Sequence, residues 1–303
     1  MNNLVLLGAC FVIGMLLRYS GRLPANAHAS LNGFIIHVSL PALTLLAVHR
    51  LAFDKTLLAP AAMAWIMFGL GCVFFWWIGR VMKLRAATIG ALILTGSLAN
   101  TSFIGVPMIE AYFGGHGVGL GLFIDQAGTY LVLSTLGLLV AAIYAQGSRP
   151  TARAITKKVF TFAPFLAFMA ALLLLPVTYP AWIATLLDRL GGTLVPLALV
   201  SVGFQIQFGE SRGRVRELIL GLAFKLIAAP MVIGLLYAGL FGGRGEMIQI
   251  TLFEAAMPPQ IGAAIVAMDH DLDPQLVTLM VGIGIPLSFL TLFAWRQVLS
   301  VIA

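Results

Sequence analysis

Glu254-Ala-Ala-Met-Pro-Pro-Gln260 lies inside an apolar segment, and its two prolines decide how the chain is read. Neither Pro258 nor Pro259 can donate to the carbonyl four residues back, so a continuous helix is ruled out and the carbonyls of Glu254 and Ala255 are freed. At membrane depth such groups are tolerated only where protein or a water-lined cavity satisfies them. A broken helix that also carries a carboxylate therefore points to a binding site. Half a chain earlier, Gly96-Ser-Leu-Ala-Asn-Thr-Ser-Phe-Ile-Gly-Val-Pro107 supplies a second interrupted apolar segment, where Pro107 frees the carbonyl of Phe103. One broken span in each half is the sequence pattern of inverted-repeat transporters.

Composition places the interruptions in a membrane. The 303 residues are 60% hydrophobic and 10% charged, with a mean hydropathy of +1.02, which belongs to the polytopic membrane class. A net charge of +7 would suggest nucleic acid in a soluble chain, but the basic residues fall in short loops between apolar runs and mark topology instead. Cys10 and Cys72 lie within apolar spans without a CxxC pattern, so no disulfide framework or zinc site is indicated. Leu4 to Leu17 followed by Ala25-Asn-Ala27 imitates a signal peptide. No Lys or Arg precedes the run and Arg18 and Arg22 interrupt the cleavage region, so it is read as the first span.

With about 20 apolar residues per crossing, spans are expected near 3–19, 30–49, 57–80, 87–113, 117–145, 159–176, 182–208, 216–241, 247–268 and 274–299. The expected fold class is an all-α polytopic membrane protein with ten transmembrane helices. A short basic linker, 146–158, with Arg149, Arg153, Lys157 and Lys158, separates a first repeat, 1–145, from a second, 159–303. Loops after odd-numbered spans carry most of the Lys and Arg: Arg18 and Arg22, then Arg80, Lys83 and Arg85, the linker, and Arg212, Arg214 and Arg216. The other side has Arg50, Lys55, Arg244 and Arg296. The positive-inside rule puts the first set in the cytoplasm and both termini outside a multi-pass protein of the inner (plasma) membrane. An odd number of helices per half makes the halves inverted. Leu40-Pro-Ala-Leu43 in the second span answers Val195-Pro-Leu-Ala198 in the seventh, and Pro107 answers Pro258 or Pro259.

Asn100-Thr-Ser-Phe-Ile-Gly-Val-Pro107, together with Ala256-Met-Pro-Pro259 and with Asp125-Gln126 in the fifth span, resembles the auxin efflux carrier family, including its bacterial organic-acid permeases. The resemblance spans essentially the whole chain. It implies a non-enzymatic transporter of two inverted five-helix repeats, a scaffold and a transport domain, fourth and ninth helices that cross where both are broken, homodimers and an elevator-like movement. The architecturally related bile-acid sodium symporters place cation ligands around a ninth-helix glutamate. Glu254 looks like that position and Asn100 like its fourth-helix partner. The short linker leaves no counterpart of the long cytoplasmic loop of the plant members.

The chemistry expected at the crossing follows from helix ends: free N–H groups suit a carboxylate, free carbonyls a cation. A substrate carboxylate is expected near the backbone after Pro107, Pro258 and Pro259, with Asn100, Thr101, Ser102 and Gln260 as donors. A sodium ion, or a proton on Glu254, is expected by the carbonyls of Glu254, Ala255 and Met257. Lys225 neutralises Glu254, attracts the anion or snorkels to an interface. Asp125, near the start of its span, caps a helix, lies at the interface or takes part in coupling. His37 reads as a satisfied interhelical histidine in preference to a proton carrier, and Asp188-Arg189 as an interfacial anchor. Asp269-His-Asp-Leu-Asp273 resembles a metal-binding aspartate cluster, but no second cluster exists and Asp273-Pro274 reads as an N-cap followed by proline. Gly117-x-x-x-Gly121 permits close helix contact.

The expected function is secondary transport of small organic anions, mono- or dicarboxylates such as malonate or malate, coupled to sodium or protons. An amphipathic anion (an indole acid or bile-acid-like molecule) and a non-transporting membrane sensor are the alternatives. No cofactor beyond the sodium ion is expected. The partners are the anion, the bilayer and a second copy of the chain, not nucleic acid.

Overall fold

The computed structural model describes residues 2–51, 54–145, 151–206 and 213–302. Arg149, Arg212 and residues 146–150 of the expected linker lie outside them. Among the described residues every regular element is a helix, with one isolated antiparallel bridge. Among the described residues six helices are long and apolar enough to cross a membrane: Ala27–His49, Lys55–Val81, Gly115–Tyr144, Ala181–Gln205, Val215–Leu240 and Pro274–Val301. A seventh is added if Ala152–Thr161 and Ala163–Leu173, bent by 71°, are one span. The other stretches read as spans are shorter or broken: Asn2–Tyr19, Ala86–Ser97 with 101–113, and Glu246–Ala255 with Ile261–Asp269.

The prolines act in two ways. Pro41, Pro107 and Pro230 are each preceded by a widened π-helical turn, at Ile35–Ser39, Thr101–Gly105 and Phe224–Ala228, after which the α-helix continues. The wider turn accommodates the missing N–H and the ring without ending the helix. The freed carbonyl of Leu226, four residues before Pro230, accepts the Trp295 indole N–H at 2.8 Å. Pro107 is thus not where the fourth segment breaks. Its backbone leaves the helix at Leu98, which is extended, and becomes helical again from Thr101.

The chain divides into two compact units. The first comprises Met1–Asp54, Ser102–Gln126 and Lys157–Ile206. Its helices approach through glycine. A Cβ on Gly14 would collide with the carbonyl oxygen of Val200, and one on Gly203 with that of Phe11, so Asn2–Tyr19 and Leu194–Gln205 pack backbone to backbone. Gly119, between Gly117 and Gly121, meets the Ala47 carbonyl in the same manner. Beside the two proline motifs of the second and seventh spans, Ser39 and Thr193 hydroxyls hydrogen-bond at 2.7 Å. Ser201 Oγ donates to Asn32 Oδ1 at 2.6 Å.

The second unit comprises Lys55–Thr101, Ala127–Thr156 and Gln207–Ala303. Ala86–Ser97 is its core helix, buried from Thr88 to Ser97, as an element apolar on all sides must be. Phe224 stacks on Phe74 and meets Phe75 edge-on, with centroids 4.6 and 4.8 Å apart. At one end Asp273 joins three elements. It accepts from Thr88 Oγ1 at 2.6 Å and pairs with Arg214 at 3.1 Å and Arg85 at 3.5 Å. Its other oxygen accepts from the backbone N–H of Leu276 at 3.5 Å, which agrees with the N-cap reading of Asp273-Pro274.

Candidate functional site

The second unit contains the crossing. Leu98, at the end of Ala86–Ser97, and Gln260, at the start of Ile261–Asp269, are both extended. They run antiparallel: Asn100 N–H donates to the Pro258 carbonyl at 2.9 Å and Gln260 N–H to the Leu98 carbonyl at 3.2 Å, around the Ala99–Pro259 bridge. Two broken helices are thereby stitched by one rung of β-ladder, which satisfies backbone groups that the prolines and the chain reversal strip from their helices. Asn100, Thr101, Pro258, Pro259 and Gln260 are all buried.

The two carbonyls freed by Pro258 and Pro259 have separate partners. That of Glu254 accepts the Met257 N–H at 3.2 Å in a closing turn. That of Ala255 accepts from Lys225 Nζ at 2.9 Å. Lys225 is 0% exposed, as is Glu254. The snorkelling reading of Lys225 is therefore wrong: its side chain turns inward from the widened turn before Pro230 and ends on the broken ninth segment. An ammonium thus occupies one of the carbonyl positions expected to hold sodium.

Gln260 presents its side-chain oxygen buried and without a hydrogen-bond partner among the described residues. A polar atom left so costs about 1–3 kcal/mol unless something fills it. The crossing therefore offers a ligand a polar position. Ser97 Oγ, one residue before the extended Leu98, is in the same condition, as are the hydroxyls of Thr129 and Ser134 in the same unit. The sequence reading passed over these three. Their only signal was a hydroxyl inside an apolar span, a commonplace of membrane helices.

The remaining expected site residues belong to the first unit. Ser102 Oγ donates to Asp125 Oδ1 at 3.0 Å, and Gln126 Nε2 donates to Asp125 Oδ2 at 2.7 Å. Asp125 is buried well inside Gly115–Tyr144 rather than at its start. The capping and interfacial readings fail, because the helix begins ten residues earlier than a cap at Asp125 would require. Pro107 is the second residue of the helix Val106–Phe113, so the N–H groups freed after the break are those following Asn100, not those following Pro107. His37 is exposed on its widened turn, against the reading of a satisfied interhelical histidine. Asp188 and Arg189 are exposed, as an anchor requires.

A family model described as membrane transport protein matches residues 2–296. An uncharacterized transporter of Methanothermobacter thermautotrophicus is 30% identical over 294 residues, covering 95% of this chain and 94% of its own length. Another, from Methanocaldococcus jannaschii, is 24% identical over 298 residues, with 95% of each chain covered. The family resemblance read from Asn100–Pro107 and Ala256–Pro259 thus holds over nearly the full length, and the chain belongs to the membrane transport protein family, that of the auxin efflux carriers.

Proposed function

We propose that this membrane transporter is a secondary carrier of small organic anions, mono- or dicarboxylates such as malonate or malate, which bind at the crossing of Leu98–Thr101 with Pro258–Gln260. The observation that carries the reading is the burial of Glu254, Lys225 and Gln260 around one backbone crossing. Charged groups at membrane depth are costly and are retained where they serve a pathway. The N–H groups that follow Gln260 would face the substrate carboxylate, with Asn100, Thr101 and the amide nitrogen of Gln260 as side-chain donors.

For coupling, the Lys225 ammonium on the Ala255 carbonyl takes the place of a bound sodium ion, and transport is then coupled to a proton exchanged at Glu254. This motivates a sodium-independent carrier. The division into units supports alternating access of elevator type. The first and sixth spans, and the second and seventh, share one unit, whereas the third and eighth share the other, as paired members of inverted repeats would. The pairing is imperfect: Ser102–Gln126 of the fourth and fifth spans goes with the first unit, whereas the ninth and tenth lie wholly in the second. The family resemblance motivates a homodimer, and the distribution of Lys and Arg motivates an inner-membrane protein with both termini outside.

The test is uptake of radiolabelled malonate and malate into proteoliposomes. Accumulation driven by a proton gradient, unchanged when potassium replaces sodium and lost in Glu254→Gln, supports the reading. Binding without uptake would favour a sensor. Uptake confined to indole or bile acids would move the substrate to an amphipathic anion.

A further inference from the structure

On the second unit, the helices Val215–Leu240 and Pro274–Ile302 border a groove of about 640 Å³. Its walls include Met231, Leu235, Ala294, Trp295 and Val298, and its one charged residue is Arg244. The other polar groups of the lining are already engaged. The Trp295 indole N–H donates to the Leu226 carbonyl, and Thr291 Oγ1 donates to the Ser288 carbonyl at 3.3 Å. To a ligand the wall is therefore hydrocarbon, except at Arg244.

Arg244 lies just beyond the end of Val215–Leu240, in the loop before Glu246–Ala255. Its Nη1 donates to the Ala238 carbonyl at 2.7 Å and to that of Gly243 at 3.0 Å. Both bonds use one nitrogen of the guanidinium and fix the group at the groove's end. From Ile227 to Gly239 the groove follows the helix for about 18 Å at 1.5 Å per residue, roughly half the thickness of a bilayer. Met231 and Leu235 are half exposed or more along it. In a membrane protein such a surface meets acyl chains.

We propose that this groove is a specific glycerophospholipid site, with one acyl chain along Ile227–Gly239 and the lipid phosphate on Arg244. A guanidinium matches a phosphate in planar, two-pronged fashion, and a cation at the end of an apolar channel that runs to mid-membrane is the charge pattern of a single lipid. By the positive-inside reading the site belongs to the outer leaflet. Gly234 and Gly239 leave room for the chain: a Cβ at either would meet no atom within 4 Å. The inference is independent of the transported substrate.

Native mass spectrometry of the delipidated protein titrated with phosphatidylglycerol is the test. One lipid should bind ahead of the rest. Arg244→Gln should weaken that first binding about tenfold. Gly234→Phe should abolish it without loss of helicity or thermal stability, since the ring enters open space. If Gly234→Phe fails to fold, Gly239→Leu serves the same purpose. Equal binding in wild type and variants, as for unspecific annular lipid, overturns the proposal. So does a change of oligomeric state in the groove-filled variant, which would assign the groove to a second copy. Equal competition by water-soluble glycerophosphoglycerol overturns it as well, because the acyl chain would then contribute nothing.

Discussion

Lys225→Met keeps an unbranched side chain one atom shorter and removes its charge and donors. The Ala255 carbonyl, fully buried, loses its 2.9 Å partner, and Glu254 keeps its burial without the ammonium. Removing one member of a buried charged pair costs about 3–5 kcal/mol, because the survivor is left uncompensated. For a chain of this length that is a fall in melting temperature of about 5–8 °C. Glu254→Gln in the same background removes the stranded charge, so the double variant should regain about half of the loss or more. Lys225→Ala goes further by vacating space at the carbonyl. If the ammonium stands in for a cation, this variant should become stabilised by sodium, by about 2.7 kcal/mol at 100 times the dissociation constant, whereas wild type does not respond. Thermal unfolding in detergent, in sodium and in potassium salts, reads wild type, both single variants of the pair, the double variant and Lys225→Ala. A loss below about 1 kcal/mol for Lys225→Met, or strict additivity with Glu254→Gln, would refute the pairing.

Three further outcomes are expected. Asp273→Asn strips the charge from a carboxylate shared by Thr88, Arg214 and Arg85, and should cost about 1–3 kcal/mol by thermal unfolding; Arg85→Gln, at a largely exposed partner, should cost less than about 1 kcal/mol. Gly203→Leu drives a side chain into the Phe11 carbonyl and should abolish the folded monodisperse species in size-exclusion chromatography, because backbone cannot move aside as a flexible side chain can. Ser102→Ala leaves the buried Asp125 with one fewer donor and should lower stability by about 1.5–3 kcal/mol, the range for hydrogen bonds to charged groups.

The ninth-segment break was legible because proline is a local signal: Pro258 and Pro259 name the carbonyls they free without reference to any neighbour. The same holds for Asp273, where an N-cap followed by proline is a matter of adjacent residues. Pro107 misled because one proline alone does not choose between a break and a widened turn. That choice depends on whether a partner strand is present to satisfy the backbone, and here the partner, Pro258–Gln260, meets Leu98–Asn100 instead. Lys225 and Ala255 are 30 residues apart and meet only through the packing of the eighth and ninth segments, which no periodicity encodes. Asp125 was misread although the expected start of its span, 117, lies close to the observed start at Gly115: about two helical turns into a span is already too deep for a cap.

The central claim is tested most directly by malonate and malate uptake into proteoliposomes with an imposed proton gradient, in sodium and in potassium, for wild type and Glu254→Gln. Concentrative uptake by wild type in both salts, absent in Glu254→Gln while Lys225 and the crossing remain folded, is the predicted result. Uptake that requires sodium, or that survives Glu254→Gln unchanged, would contradict it.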